Sequence, residues 1–214
     1  VENRAFQDGG GLMCWKSSST LINCAIGNNS PDGLHVSYGS ALILGTVKVI
    51  SDSIRGDGFV RIDPDATLHT EDVHTSANVG GIGRIFVPVG KRLVVEGTGI
   101  IDLTDYDYPG ARGTVQCNGL LVTIGDASIT RTKVNVIRAV FEGNSVISNN
   151  VFTTSRFIPY GQISLEDAAV FVNNDIYSSG DRYLDIEPAV FAGTILNNRI
   201  YITQAGKRGG LFEL

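Results

Sequence analysis

The segment Ile147–Phe152, with the sequence ISNNVF, recurs along the chain as Val172–Tyr177 (VNNDIY) and as Leu196–Tyr201 (LNNRIY). The first asparagine of each pair falls at position 149, 173 or 197, and the two intervals are identical. A fixed period of about 20 to 50 residues is the signature of stacked repeats, each packing on its neighbours. A hydrophobic and an aromatic residue follow each pair, which is typical of a short strand after an asparagine-bearing turn.

Looser copies of this pattern extend towards the start of the chain. Val1–Phe6 and Leu21–Ile26 share an asparagine followed three residues later by a hydrophobic residue, and short apolar runs alternate with glycine- and serine-rich corners. The register is lost between Glu96 and Asn149, where residues 102–112 read as an outward loop. The repeat predicts one all-β domain over residues 1–214, a right-handed parallel β-helix of roughly nine coils with little or no helix.

Composition agrees with strands and turns and excludes several classes of protein. The 214 residues include 26 glycines and one methionine, and no window has the apolar spacing of an amphipathic helix. The net charge is −5 and no basic stripe is present, which argues against nucleic acid as the main partner. No apolar stretch is long enough to span a membrane as a helix. We also find no signal peptide, so the chain reads as a processed form or a fragment.

The asparagine pairs and the cysteines have structural interpretations. In a parallel solenoid the paired asparagines of successive coils would stack as a hydrogen-bonded ladder at one corner, which makes them structural residues and not ligands. Cys14, Cys24 and Cys117 lack the spacing of a metal site, and we expect small apolar side chains facing inward. A disulfide between Cys14 and Cys24 remains open if the two face each other.

The segment Gly9–Asn29 and the three asparagine-pair segments together resemble the repeat of the pectate-lyase-like superfamily of right-handed parallel β-helix proteins. This resemblance implies the fold and an extracellular or cell-surface location. The superfamily includes pectate and alginate lyases, polygalacturonases, phage tailspikes and adhesins, so fold alone does not assign an activity. The catalytic motifs of polygalacturonases and the Arg-x-Pro-x-x-Arg signature of pectate lyases are absent, and Arg156–Pro159 does not match the latter.

The best candidate for carbohydrate chemistry is an acidic cluster near the end of the chain. In an extended strand the side chains of Asp185 and Glu187 lie on the same face, because the side-chain period is two. Carboxylates, a guanidinium and aromatic rings on one exposed surface could bind or cleave a sugar. The candidate catalytic residues are Asp181, Arg182, Asp185 and Glu187, and the candidate substrate-binding residues are Tyr160, Gln162 and Tyr183. A salt-bridged turn is the structural alternative.

A second acidic group, Asp102, Asp105 and Asp107, is the candidate calcium site. Closely spaced carboxylates can hold Ca²⁺, but the spacing fits no defined calcium loop, and a solvated loop is the alternative. No other cofactor is expected. The three histidines, His35, His69 and His74, are scattered and form no recognisable catalytic or metal-binding pattern.

Two classes of function therefore remain. The first is a non-catalytic extracellular protein that is structural or binds glycans, favoured by the missing catalytic motifs. Because no capping helix is apparent, its open sheet edges predict association with further copies of itself, head to tail or laterally, as in a fibre or surface layer. The second class is a polysaccharide-degrading lyase or hydrolase, tailspike-like, acting on an acidic glycan.

Overall fold

A computed structural model of the chain describes residues 10–29, 32–104, 110–154, 162–178, 184–186 and 192–202. Within these residues the backbone forms short strands and no helix. In chain order the strands are β1 Leu12–Trp15, β2 Ser18–Ile22, β3 Ala25–Gly27, β4 Leu34–Ser37, β5 Ser40–Leu44, β6 Thr46–Ile50, β7 Ser53–Arg55, β8 Phe59–Ile62, β9 Thr67–Glu71, β10 Val73–Thr75, β11 Asn78–Gly81, β12 Arg84–Val87, β13 Arg92–Glu96, β14 Ile100–Asp102, β15 Thr114–Ile124, β16 Ser128–Thr130, β17 Lys133–Phe141, β18 Val146–Ser148, β19 Val151–Thr154, β20 Gln162–Leu165, β21 Val170–Val172, β22 Asp175–Ser178, β23 Leu184–Ile186, β24 Thr194–Leu196 and β25 Arg199–Ile202.

The strands stack in three parallel columns, which we call faces 1, 2 and 3. Face 1 contains β1, β4, β7, β10, β13, β20 and β23, and face 3 contains β3, β6, β9, β12, β19, β22 and β25. The long strands β15 and β17 bend, so that their first halves lie in face 3 and their second halves in face 1. Face 2 is a separate nine-stranded sheet of β2, β5, β8, β11, β14, β16, β18, β21 and β24.

One strand from each face makes one turn of the solenoid. About seven turns are described from their first strand to their last. The turns that begin with β13 and with β23 include residues outside the described part. The structure therefore confirms the parallel all-β solenoid, with about seven complete turns where the period predicted roughly nine. The right-handed winding stays a prediction.

Turns of unequal length explain why the repeat register was lost in the middle of the chain. Gln116 of β15 pairs with Asn135 of β17, and the two are only 19 residues apart. Asn150 and Asn174, which occupy equivalent corners of later turns, are 24 residues apart. A single interval taken from the later turns therefore does not align the strands of the middle ones.

The predicted outward loop belongs to a longer turn. Arg84 of β12 pairs with Thr114 of β15, and the chain between them includes the loop. Its two ends meet in an isolated antiparallel bridge between Thr104 and Arg112. Solenoids tolerate such insertions at corners because stacking needs only the strands to stay aligned.

Alternating side chains fill the interior. In β5 and β9 every second residue is buried, as expected for strands with one face inward. Near the later turns the interior is aromatic: Phe171 lies 5.6 Å from Phe152 and 6.2 Å from Phe141 between ring centroids.

The three thiols are free in the structure. Cys14 and Cys117 are buried, whereas Cys24 is half-buried. The expected inward position is confirmed for the first two. The structure contains no disulfide between Cys14 and Cys24, which the sequence had left open.

The corner between faces 2 and 3 holds the asparagine pairs, and the two members of a pair have different roles. The first, Asn149 or Asn173, has a φ of 57° or 55°, a left-handed conformation that asparagine tolerates better than most residues. The second faces the interior: Asn174 donates through Nδ2 to the carbonyl oxygen of Ile147 at 2.9 Å and to Oδ1 of Asn198 at 3.0 Å. The predicted asparagine ladder is confirmed.

Candidate functional site

The predicted acidic cluster is described only in part. Asp185 lies in β23 with its Cα opposite Ser164, and Gln162 lies in β20 opposite Arg138, so both backbones belong to face 1. The remaining candidates, Asp181, Arg182, Tyr183, Glu187 and Tyr160, lie outside the described residues. The sugar-processing role of this cluster stays a prediction.

Asp102 from the predicted calcium group has protein partners. Its carboxylate accepts a hydrogen bond from Thr104 Oγ1 at 2.9 Å and forms an ion pair with Arg131. Asp105 and Asp107 lie outside the described residues, and within the described ranges no three His, Cys, Asp or Glu side chains are grouped as metal ligands. The calcium site stays a prediction.

A network that sequence reasoning missed is centred on Asp32, at the start of face 1. This carboxylate is 1% exposed, and a buried charge needs partners to offset its lost hydration. It has three: Oδ2 lies 3.1 Å from His35 Nδ1, Oδ1 accepts a hydrogen bond from Ser53 Oγ at 3.0 Å, and Oδ1 forms an ion pair with Arg55 Nε at 3.2 Å. Asp32 thus fixes side chains from β4 and β7 together.

The same network continues along face 1 to a second histidine. Arg55 Nη2 lies 3.7 Å from Glu96 Oε1, and Glu96 Oε2 lies 2.9 Å from His74 Nδ1. Each residue of the network therefore contacts the next in the order His35, Asp32, Arg55, Glu96 and His74. Each imidazole is oriented through Nδ1, and neither Nε2 atom has a hydrogen-bond partner among the described residues. An imidazole held in this way presents Nε2 to a ligand as acceptor, donor or general base.

Exposed aromatic rings lie beside the network. Trp15 is 58% exposed at the end of β1, and Tyr38 is 71% exposed directly after β4. The strand register places Met13 opposite His35 and Trp15 opposite Ser37 on the same outward surface. Large aromatic rings that combine exposed apolar area with neighbouring polar groups make this surface a candidate for ligand binding.

Asp57 supplies a charged acceptor at this edge. Its Oδ1 accepts from Ser37 Oγ at 2.8 Å and from the backbone N–H of Tyr38 at 3.1 Å. These two hydrogen bonds, the one from Ser37 first, hold the pKa of Asp57 below its ordinary value. The carboxylate is therefore ionised at neutral pH and available as an acceptor beside Tyr38. We use the name face 1 surface for Trp15, Tyr38 and Asp57 together with the residues of the network, which are His35, Asp32, Arg55, Glu96 and His74.

Further along face 1, three valines form an apolar strip on the outward side of the sheet. Val94, Val122 and Val140 occupy outward positions and lie outside the core cluster, yet they are 3%, 9% and 8% exposed. Glu142 borders this strip, and burial, followed by the charges of Glu166 and Asp167, raises its pKa. The strip continues face 1 towards β20.

The signal that could have revealed the network was the spacing of its members. Asp32 and Ser53 are 21 residues apart, and His74 and Glu96 are 22 residues apart. Each interval is one turn of the early solenoid. The repeat interval of 24 residues, taken from the later turns, is too long to align these residues.

In comparisons with protein-family models, with curated proteins and with solved structures, no match was found. In the described residues no helix is long and apolar enough to cross a membrane.

Proposed function

We propose that this chain is an extracellular, non-catalytic β-helix protein of the pectate-lyase-like superfamily, and that it binds glycans on the face 1 surface. The observation that carries the proposal is the pairing of Trp15 and Tyr38 with a rigid array of polar groups. Sugar rings offer apolar faces that stack on aromatic rings and hydroxyls that need both donors and acceptors. The parallel solenoid with its asparagine ladder supports the superfamily.

The binding surface is preorganised, which favours affinity. Asp32 and Glu96 fix both imidazoles and Arg55 through contacts of 2.9 to 3.7 Å, so little side-chain freedom remains to be lost when a ligand binds. The strands of neighbouring turns repeat at about 4.8 Å, which gives a long ligand several consecutive contact positions.

Affinity electrophoresis against acidic and neutral polysaccharides, followed by calorimetry with the best ligand, tests the proposal. We expect binding that weakens by about tenfold or more in Trp15→Ala, because central aromatic residues dominate binding energy. The matched control is Tyr177→Ala, since Tyr177 is 38% exposed but lies on face 3. Absence of binding to every glycan, or equal losses in both variants, would refute the proposal.

A polysaccharide-degrading enzyme acting on an acidic glycan is the second candidate. It is favoured by the unpartnered Nε2 atoms of His35 and His74 among the described residues, since a carboxylate-oriented imidazole is suited to general acid–base catalysis. Absorbance in the ultraviolet, where an unsaturated uronate product absorbs, would detect a lyase. An assay of reducing ends would detect either kind of cleavage.

If the protein is an enzyme, variants can distinguish catalysis on the face 1 surface from catalysis at the predicted acidic cluster. Activity lost in His35→Ala and His74→Ala but kept in His69→Ala would assign catalysis to the face 1 surface. Activity lost in Asp185→Asn or Arg182→Ala would assign it to the predicted acidic cluster. Binding with no product from any glycan would leave the non-catalytic proposal in place.

A further inference from the structure

A second candidate site lies where β15 and β17 bend from face 3 into face 1. Cys117 pairs with Val136 and Leu120 pairs with Arg138, so β15 has one more residue than β17 between these pairs. This β-bulge contains Asn118 and Gly119. A β-carbon on Gly119 would lie 1.9 Å from the carbonyl oxygen of Lys91, so the backbone approaches too closely for any other residue. Bulges of this kind re-aim side chains and are common beside binding sites.

Three amide side chains form a directional chain at the bulge. Asn135 Nδ2 donates to Gln116 Oε1 at 3.2 Å, and Gln116 Nε2 donates to Asn118 Oδ1 at 2.8 Å. The two ends of the chain remain available: Asn118 Nδ2 is a donor and Asn135 Oδ1 an acceptor, and neither has a hydrogen-bond partner among the described residues. A ligand that both donates and accepts would complete the chain.

The amides line a cleft of about 200 Å³, bounded also by Thr153 and by Cys117, Val136 and Ile137. This volume is smaller than the roughly 300 Å³ at which pockets for drug-sized ligands begin, so it fits one small ring. Among the described residues, no charged side chain lines the cleft. A carboxylate, sulfate or phosphate would therefore lose its hydration without gaining a counter-charge.

The described lining of the cleft also lacks a reactive group. Cys117 is fully buried, and burial raises the pKa of its thiol to about 11. The thiol therefore stays protonated and is a poor nucleophile at neutral pH. The remaining lining groups are amides, a hydroxyl and aliphatic side chains, which are suited to binding and not to bond cleavage.

We infer that this amide cleft binds a single uncharged sugar unit, one hydroxyl donating to Asn135 Oδ1 and a neighbouring hydroxyl accepting from Asn118 Nδ2. The cleft is separate from the face 1 surface, and its ligand class follows from its own uncharged amide lining. It would add to the protein a subsite for neutral sugars.

Titration of the ¹⁵N-labelled chain with methyl glucoside, methyl mannoside and methyl galactoside, followed by NMR, tests the inference. We expect the side-chain amide resonances of Asn118 and Asn135 to shift with a dissociation constant in the millimolar range, as for other small ligands. Glucuronate, a charged sugar of similar size, should produce at least tenfold weaker binding. Absence of shifts at about 100 mM of every neutral sugar, or equal binding of glucuronate, would overturn the inference.

Variants separate this site from the face 1 surface. Asn118→Ala and Asn135→Ala should each weaken neutral-sugar binding by about tenfold, the cost of one lost hydrogen bond to a ligand held by few contacts. Asn144→Ala is the matched control, because Asn144 is an exposed amide that donates to Asp126 and does not line the cleft. Trp15→Ala should leave the shifts unchanged even where it abolishes glycan binding on face 1. Unaltered binding in both cleft variants would contradict the assignment of the site. If a variant does not fold, the resonances that shift in the wild-type protein decide whether sugar binds at Asn118 and Asn135.

Discussion

Asn150 and Asn174 are 24 residues apart in the chain and are joined by two hydrogen bonds to a single oxygen. Oδ1 of Asn174 accepts from the backbone N–H of Asn150 at 3.0 Å and from its side-chain Nδ2 at 3.2 Å. Asn198 repeats this arrangement beneath Asn174, and Thr132 continues it above, where its backbone N–H donates to Asn150 Oδ1 at 3.0 Å. Each side chain thus satisfies backbone groups that the corner leaves without strand partners.

Replacement of Asn174, which lies between Asn150 and Asn198 in the asparagine ladder, should destabilise the solenoid. Asn174 is fully buried, and Asn174→Ala leaves the backbone N–H of Asn150 and the carbonyl oxygen of Ile147 without their partner. We expect a loss of about 2–4 kcal/mol in the free energy of unfolding, since each unsatisfied buried group costs about 1–3 kcal/mol. Equilibrium unfolding in urea measures it.

Asn173→Gly is the matched control for this prediction. Asn173 is exposed and has a φ of 55°, which glycine adopts without steric cost. We expect a change of less than about 0.5 kcal/mol. Equal losses in the two variants would mean that the corner conformation, and not the ladder, provides the stability.

The aromatic interior should be the least tolerant part of the later turns. Phe171 is fully buried against Phe141 and Phe152, so Phe171→Ala should cost about 3–5 kcal/mol. Phe171→Leu keeps much of the volume and should cost less than about half of that. Thermal unfolding followed by circular dichroism compares the two, and a similar loss in both variants would contradict a packing origin.

Gly119 should be irreplaceable for steric reasons. Because a β-carbon would lie 1.9 Å from the carbonyl oxygen of Lys91, Gly119→Ala should cost about 3 kcal/mol, the upper end of the usual range for overpacking. Gly90→Ala is the control: Gly90 has a φ of 75° with nothing within 4 Å of the added carbon, so only about 1 kcal/mol of backbone strain is expected. Urea unfolding of both variants should give this order, and the reverse order would refute it.

Glu142 should make stability fall as pH rises. Burial and the charges of Glu166 and Asp167 raise its pKa above the ordinary 4.5, so the folded state binds this proton more tightly than the unfolded state. The contribution of Glu142 to stability is then most favourable below pH 4.5 and declines until the pH exceeds the folded pKa. Glu142→Gln should therefore raise stability at pH 7 by less than about 1 kcal/mol, because the group is partly exposed. Below the unfolded pKa the two proteins should be alike.

Asp57→Asn is the complementary variant in the same experiment and should have the opposite pH dependence. The hydrogen bonds from Ser37 and from the backbone of Tyr38 lower the pKa of Asp57 from 3.8, so its contribution is present above that value and is lost as pH falls through the folded pKa. The variant should be less stable than the wild type at pH 7 and equal to it at the acid limit. Denaturation midpoints measured across the pH range test the predicted pH dependence of both variants. If the stability of a variant parallels that of the wild type at every pH, the prediction for that variant is wrong.

The three thiols should react in a fixed order. Cys24 is half-buried, whereas Cys14 is 1% exposed and Cys117 is fully buried with a pKa of about 11. A thiol-specific reagent such as dithiobis-nitrobenzoate should modify one cysteine of the folded protein, and three after unfolding, because reaction needs an accessible thiolate. Peptide mapping should identify Cys24, and early labelling of Cys117 would contradict the buried assignment.

The sequence by itself determined the architecture and its best-ordered corner. Asparagine pairs at a constant interval can stack in register only if the strands between them are parallel, and asparagine both tolerates the left-handed corner and pairs with its own kind. Alternating hydrophobic residues then fixed which side of each strand faces inward. The later turns, which contain Asn150, Asn174 and Asn198, were predictable for these reasons.

The tertiary structure alone decided which side chains meet on the outside. Asp32 joins His35 and Arg55, and Glu96 joins His74, although no local pattern links them. Strand register is set by backbone hydrogen bonds and inward packing, whereas corners gain or lose residues at little cost, so turns of different lengths stack in the same columns. Outward neighbours therefore depend on the length of every corner between them, which a single repeat interval does not encode.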